Sequence, residues 1–229
     1  MTKFYFPHKK KDGVFHRTLP DMSNVTSIES FGFPNFTNSL ELTEINFPKL
    51  HQLKGGCNLD FRGCTSLETV SFPILFEMES NSIIFSDCTK LKEIEFPQLY
   101  QAVFFPQFQN CSQLKTASFP NLAILTGSSS AQYAFKRCSS LTSVDFSMLT
   151  QIKGSLAMYF CFQDCSSLTT ISFPNLVTIT YKDSFNGCFF GCNKLTEIHF
   201  RADAQSTIEG LTGYSEKFSA TNATIYFDL

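Results

Sequence analysis

The residues of this chain whose type and spacing could do chemistry are four cysteines. Cys161 and Cys165 lie four apart, Cys188 and Cys192 repeat that spacing, and the two pairs are 27 residues apart. By count, four thiolates could hold a zinc ion. If Cys161 and Cys188 sit on adjacent coils, whose strands lie about 4.8 Å apart, they could form a disulfide. The third reading is buried free thiols, because cysteine packs as a small apolar side chain. The histidines are His8, His16, His51 and His199, and none has a metal-ligand spacing to another. There is no Gly-x-Ser-x-Gly elbow, no phosphate loop and no Gly-rich dinucleotide turn. We therefore expect no enzyme, and assign no catalytic, cofactor or metal residue.

The cysteines belong to a larger pattern. A fifteen-residue phrase, Phe-x-x-Cys-x-x-Leu-x-x-Ile-x-Phe-Pro-x-Leu, recurs along the chain, followed after two more residues by another apolar position. Its clearest copy is Phe162, Cys165, Leu168, Ile171, Phe173, Pro174, Leu176 and Ile179. Six copies carry the cysteine, at Cys64, Cys88, Cys111, Cys138, Cys165 and Cys192, and a seventh has Ser39 there. A shorter copy fits Ile28, Phe31, Phe33, Pro34 and Phe36, with Val25 at the cysteine position. A fixed period of this size is the signature of a solenoid. Each full coil has 18 residues from the opening Phe to the last apolar position, and the remainder varies from 5 to 9. Such insertions map to one face, so the variable segments should line one edge.

The Ile-x-Phe unit has period two, which points both side chains to one side of a short strand. The residue between them is polar: Ser71, Glu95, Asp145. Proline follows the strand, lacks a donor for a ladder and so ends the strand and starts the corner. One coil has Ser147 there instead. The chain then returns through Leu176 and Ile179, as a second extended segment. The 27 phenylalanines follow largely from two per coil.

This pattern resembles the BspA-like leucine-rich repeats over roughly residues 25–200. The resemblance implies a mostly β, right-handed solenoid of short parallel strands, used for adhesion or protein binding in bacterial, protist and phage-associated proteins. It also implies the strand face as the usual contact surface. The chain departs from most leucine-rich repeats in having Leu75, Leu99, Leu122, Leu149 or Leu176 where they place Asn after the strand. We therefore expect the turn to be held by apolar packing and proline.

Three regions are expected: an N-terminal β cap at 1–24, about eight coils at 25–200, and a helix-plus-strand cap at 201–229. Phe4, Phe6 and Pro7 echo the strand, and Asp12-Gly13 signals a turn. Ile208, Leu211, Tyr214 and Phe218 have helical spacing within Ala202–Phe218, with Asp203 as N-cap or first-turn acid and Gly210 and Gly213 opposing the helix. Thr224–Phe227 reads as a closing strand. This tail resembles the C-terminal ends of leucine-rich-repeat proteins from gut bacteria and their phages.

Net charge is −2, which argues against a nucleic-acid partner. Lys9, Lys10, Lys11 and Arg17 read as a solvated terminal turn. No signal-peptide core and no 18-residue apolar run is present, so membrane insertion is not expected. Nine cysteines without a secretion signal suggest a reducing compartment. Cell surface, virion and cytoplasm all stay open.

Two surfaces are candidates for binding a protein or a glycan. The outward strand face carries Glu68, Ser71, Glu95, Ser118, Asp145, Ser172 and His199. The variable edge carries Tyr133, Tyr159, Phe160 and Tyr181, together with Phe104, Phe105 and Phe185, of which some must fold inward. Aromatics on loops of a rigid scaffold suit recognition. The alternative function is a structural spacer in a larger assembly such as a phage tail or fibre.

Overall fold

The computed structural model describes residues 9–11, 14–16, 21–29, 36–54, 56, 58–79, 82–220 and 222–228. Each coil contributes one short strand to each of two parallel arrays. The outward array contains Glu44–Asn46, Thr69–Ser71, Glu93–Glu95, Thr116–Ser118, Ser143–Asp145, Thr170–Phe173, Glu197–Phe200 and Thr224–Phe227. It is hydrogen-bonded as three successive parallel groups that pack in sequence order. The return segments form a single parallel sheet of seven strands, from Ser27–Glu29 to Thr178–Ile179. In the narrow coils the third side is also strand, Leu59–Asp60 beside Ile83–Ile84 and then a bridge to Gln107.

The repeated phrase builds the interior directly. The opening phenylalanines, Phe36, Phe61, Phe85, Phe108, Phe135, Phe162 and Phe189, form an unbroken stack with centroids 5.3–5.7 Å apart. The strand phenylalanines form a second stack, from Phe47 through Phe72, Phe96, Phe119, Phe146, Phe173 and Phe200 to Phe227, at 5.1–6.2 Å. The two columns meet edge to face, as in Phe119 against Phe135, a geometry that suits the ring quadrupoles. Leucines fill the space beside them, and Leu67, Leu91, Leu114, Leu141, Leu168 and Leu195 are fully buried.

The ladder cysteine has a specific task. Each thiol donates to the carbonyl of the opening Phe one coil earlier: Cys64 to Phe36 at 3.2 Å, Cys88 to Phe61 at 3.3 Å, Cys111 to Phe85 at 3.1 Å, Cys138 to Phe108 at 3.0 Å, Cys165 to Phe135 at 3.1 Å and Cys192 to Phe162 at 2.9 Å. Cysteine is small enough for the corner and carries a weak donor that faces the neighbouring coil. The slot is therefore selective for more than size.

The corner after the strand differs from expectation in two ways. Asn121 and Asn175 donate side-chain hydrogen bonds to the carbonyls of Pro97 and Ser147 in the preceding coil, each at 2.6 Å. Amides thus help hold these corners beside proline and leucine. Where Ser147 replaces proline, its N–H is not left idle, because Asp145 Oδ1 accepts it at 2.8 Å.

The first coil has a different register from the one expected. Ile28 pairs with Leu53, a return-strand position, and the Val25 N–H bonds to the Met22 carbonyl as the Leu50 N–H does to that of Phe47. Met22, Val25 and Ile28 therefore repeat Phe47, Leu50 and Leu53, and Val25 is not at a cysteine position. Phe31, Phe33 and Pro34 lie outside the described residues.

At the N-terminus, Lys9–Lys11 pairs antiparallel with Val14–His16. Phe4, Phe6, Pro7 and the Asp12-Gly13 turn lie outside the described residues. At the other end the expected helix is short. It comprises a 3-10 turn at Ala202–Ala204 and one helical turn at Gln205–Glu209, stopping at Gly210. Asp203 lies in the first turn and is held by Arg201 rather than capping the helix. The chain then runs through turns to the parallel closing strand Thr224–Phe227. Among the described residues, no helix is long and apolar enough to cross a membrane.

Candidate binding site

On the strand face, parallel register places the candidate residues in rows. Glu95, Ser118 and Asp145 are direct partners across three strands, Ser71 pairs with Asn46, and Ser172 pairs with His199. Glu68 lies just before its strand and is exposed. Two members of these rows are already engaged. Asp145 holds the corner described above. His199 stacks on Tyr226 at 4.9 Å, with Nδ1 at 2.9 Å from Asp228 and Nε2 at 3.4 Å from Glu197. Partial burial pulls the His199 pKa down, but the bonds and charges of Asp228 and Glu197 outweigh it, and the net shift is upward. The His199 side chain thus ties the closing strand to the last coil.

The variable edge takes its form from backbone bookkeeping. In the wide coils the third side is a chain of tight turns rather than a strand. From Ser129 to Cys138 the N–H groups alternate. Those of Ser129, Ala131, Tyr133, Phe135 and Arg137 reach the next coil, and those of Ser130, Gln132, Ala134, Lys136 and Cys138 close turns within their own. The same alternation runs from Met158 to Cys165. Every fourth residue is left-handed: Ser129, Tyr133 and Arg137, then Leu156, Phe160 and Asp164. These turns push side chains alternately inward and outward.

Inward go Ala134, Cys161 and Cys188, which occupy equivalent places in three successive coils and are all fully buried. Cys161 and Cys188 are free thiols. Burial raises the pKa of Cys88, Cys111, Cys138, Cys161, Cys165 and Cys188 well above the usual thiol range, and pushes Cys64 up to about 11. These sulfurs stay protonated at neutral pH and are poor nucleophiles. Among the described residues, no group of three or more His, Cys, Asp or Glu side chains is arranged to hold a metal. Cys57 lies outside the described residues.

Outward go the aromatics. Tyr133 meets Tyr159 at 5.9 Å and Phe160 at 6.0 Å, Tyr159 meets Phe160 at 4.5 Å, and Phe160 meets Phe190 at 5.9 Å. Lys136 lies 4.8 Å from the centre of the Tyr133 ring. Gly187 makes room for this strip. A Cβ there would stand 2.7 Å from the Phe160 ring, and the residue is left-handed. Of the expected edge residues, Tyr133, Tyr159 and Phe160 come together. Tyr181 stays apart from the strip and is 48% exposed, while Phe105 and Phe185 fold inward as core filler. Phe190, 50% exposed, is the member sequence reasoning missed. A second missed feature is a stack of His51, Phe76 and Tyr100 on the return face, at 5.8 and 5.4 Å.

The strip ends at a cavity of about 670 Å³ beside the C-terminal cap, lined by Phe190, Gly191, Cys192, Asn193, Ser215, Glu216, Lys217 and Ser219. Its outer wall is anchored by Phe218, which is fully buried against Phe185 at 5.4 Å and whose carbonyl accepts the Phe189 N–H. Lys217, Phe218 and Ser219 are all left-handed, at φ 50°, 53° and 72°, so the wall carries backbone strain held in place by that anchor.

The fold is a solenoid scaffold built from stacked repeats. The chain belongs to the BspA type leucine rich repeat region family, whose model matches six copies over residues 26–156 and 126–217. Leucine-rich repeat proteins of this kind generally mediate binding. Among solved structures, a leucine-rich repeat protein from Bacteroides ovatus matches at 21% identity over 84% of this chain and 56% of its own, with a TM-score of 0.41. The T. pallidum leucine rich repeat protein matches at 19% identity over 84% of this chain and 78% of its own, with a TM-score of 0.39. The chain thus spans just over half the length of the Bacteroides protein. No curated protein matches it.

Proposed function

We propose that this protein is a non-catalytic binding module that presents its variable edge to a protein or glycan partner. The observation that carries this reading is the strip of Tyr133, Tyr159, Phe160 and Phe190. The columns bury every phenylalanine except the terminal Phe227, yet the wide coils hold this second aromatic set nearer the surface through a dedicated turn geometry. Rigid aromatics in contact with one another suit an energetic centre of recognition. In this reading the repeat runs from the Met22 position to about residue 200, and the segment after it closes the C-terminal end. The strand face is the competing surface: the side chains of Ser71, Glu95, Ser118 and Ser172 have no structural task there, and Glu68 makes an exposed ion pair with Lys90 at 3.9 Å.

The test is an array of extracellular proteins and oligosaccharides. It is probed with the parent chain, a Tyr159→Ser/Phe160→Ser edge variant and a Glu95→Ala/Ser172→Ala face variant. Signals lost in the edge variant and kept in the face variant support the reading. The reverse moves the site to the strand face, and a blank array for the parent overturns the binding role. The unbroken phenylalanine columns also suit a stiff spacer in a larger assembly such as a phage tail or fibre. An obligate symmetric oligomer in light scattering would favour that second reading.

A further inference from the structure

The cap cavity has a lining that selects a ligand class. One wall is the half-exposed Phe190 ring. The others offer an amide from Asn193, hydroxyls from Ser215 and Ser219, a carboxylate from Glu216 and an ammonium from Lys217. Among the described residues, none of these five side chains forms a hydrogen bond or ion pair elsewhere in the chain, so their polar capacity is uncommitted. The two charges are of opposite sign and adjacent in sequence, which gives the site no net preference for an anion or a cation. The volume falls within the usual range for small-ligand sites, about 300–1,000 Å³.

A lipid would leave these polar groups without partners, which is costly once water is excluded. A phosphate would meet Glu216 beside Lys217. A pyranose ring fits better. Its C–H face is apolar and flat, and its rim carries neutral hydroxyls that both donate and accept. The first suits Phe190, and the second suits a mixed set of amide, hydroxyl, carboxylate and ammonium. Beyond Phe190 the strip continues through Phe160 to Tyr159 and Tyr133, so a chain of sugars leaving the cavity would meet further aromatic surface.

We propose that the cavity between Phe190 and the Ser215–Ser219 wall holds a terminal sugar of a neutral glycan, with the following sugars lying along the aromatic edge. This inference rests on the reading of the edge as a binding surface and names its ligand. The experiment is a printed array of neutral and acidic oligosaccharides probed with the full chain, followed by titration of the strongest neutral hit. The parent chain should bind neutral glycans. Phe190→Ala and Asn193→Ala, both at exposed positions, should weaken the hit at least tenfold, and Tyr133→Ala about threefold. Circular dichroism should show the parent fold in each variant. Binding that persists in both cavity variants overturns the proposal, as does an array that stays blank. Binding confined to acidic glycans and lost in Lys217→Ala would replace the neutral ligand with an anion. If the glycan array is blank but a protein partner is lost by the edge variant, the sugar assignment fails while the binding role stands. If both are blank, both fail.

Discussion

The narrow coils from Phe36 to Gln107 and the wide coils from Phe108 to Cys188 share the same eighteen-residue core phrase and differ in how they close. In the narrow coils the third side is a short strand, and the segment has little surface of its own. In the wide coils the same side is a run of turns with a left-handed residue at every fourth position. The extra residues supply inward positions for Ala134, Cys161 and Cys188, and outward positions for Tyr133, Tyr159 and Phe160. Two phenylalanine columns pass through both regions without a break. Widening therefore adds surface at one edge and leaves the internal columns in register.

The largest expected effect tests that shared interior. Phe85→Ala in a narrow coil and Phe135→Ala in a wide one should each cost about 3–5 kcal/mol, since both rings are fully buried in the same stack. Urea denaturation checks this, and a marked difference between the two would break the claim that the columns are equivalent. Next comes the closure itself. A Cβ at Gly154 would stand 1.8 Å from the Gly127 carbonyl oxygen in the neighbouring coil, whereas at Gly56 there is nothing within 4 Å. Gly154→Ala should cost about 3 kcal/mol through backbone displacement. Gly56→Ala should cost about 1 kcal/mol, because only the left-handed conformation resists it.

The two kinds of cysteine sharpen the comparison further. Cys138 belongs to the ladder and donates to Phe108; Cys161 occupies the wide-coil slot that Ala134 fills one coil earlier. Cys138→Ala should cost about 1–2 kcal/mol, combining lost packing with a lost hydrogen bond. Cys161→Ala should cost less than about 1 kcal/mol, because alanine is already accepted there. Equal losses would remove the distinction between slots.

The smallest effect lies at the cap. Because the folded pKa of His199 is raised, its contribution is full below the unfolded value near about 6.5 and is lost as pH rises through the folded value. Hydrogen exchange of the Thr224–Phe227 amides should accelerate from pH 6 to pH 8, beyond the intrinsic change with pH, and His199→Gln should remove that excess. An unchanged excess in the variant would sever the link to His199.

Much of this architecture is legible in the residues. The spacing of Phe, Cys, Leu and Ile reports directly which side chains share a column, because every coil must bury the same positions against its neighbours. The first coil misleads because Phe31, Phe33 and Pro34 mimic the Phe-Pro corner, while Met22 hides the strand position that Phe fills elsewhere. The cap misleads because Ile208, Leu211, Tyr214 and Phe218 have helical spacing but face the last coil from separate turns, with the helix broken at Gly210. Phe190 is hidden by its neighbour. It follows Phe189, a column residue, and only the turn geometry sends one ring inward and the other out. The His51, Phe76 and Tyr100 stack leaves no signal because later coils carry Ala123, Thr150 and Val177 at the same place. The thiol donors were invisible for a different reason. Composition shows that a cysteine is small, and only coordinates show which carbonyl it faces.

The central claim is that successive coils lie in register, so that like residues form continuous internal columns. Anomalous diffraction from sulfur tests it most directly. The account predicts a single row of six sites, Cys64, Cys88, Cys111, Cys138, Cys165 and Cys192, spaced by about one strand separation of 4.8 Å. Ladder sulfurs found scattered, paired or at the protein surface would contradict it.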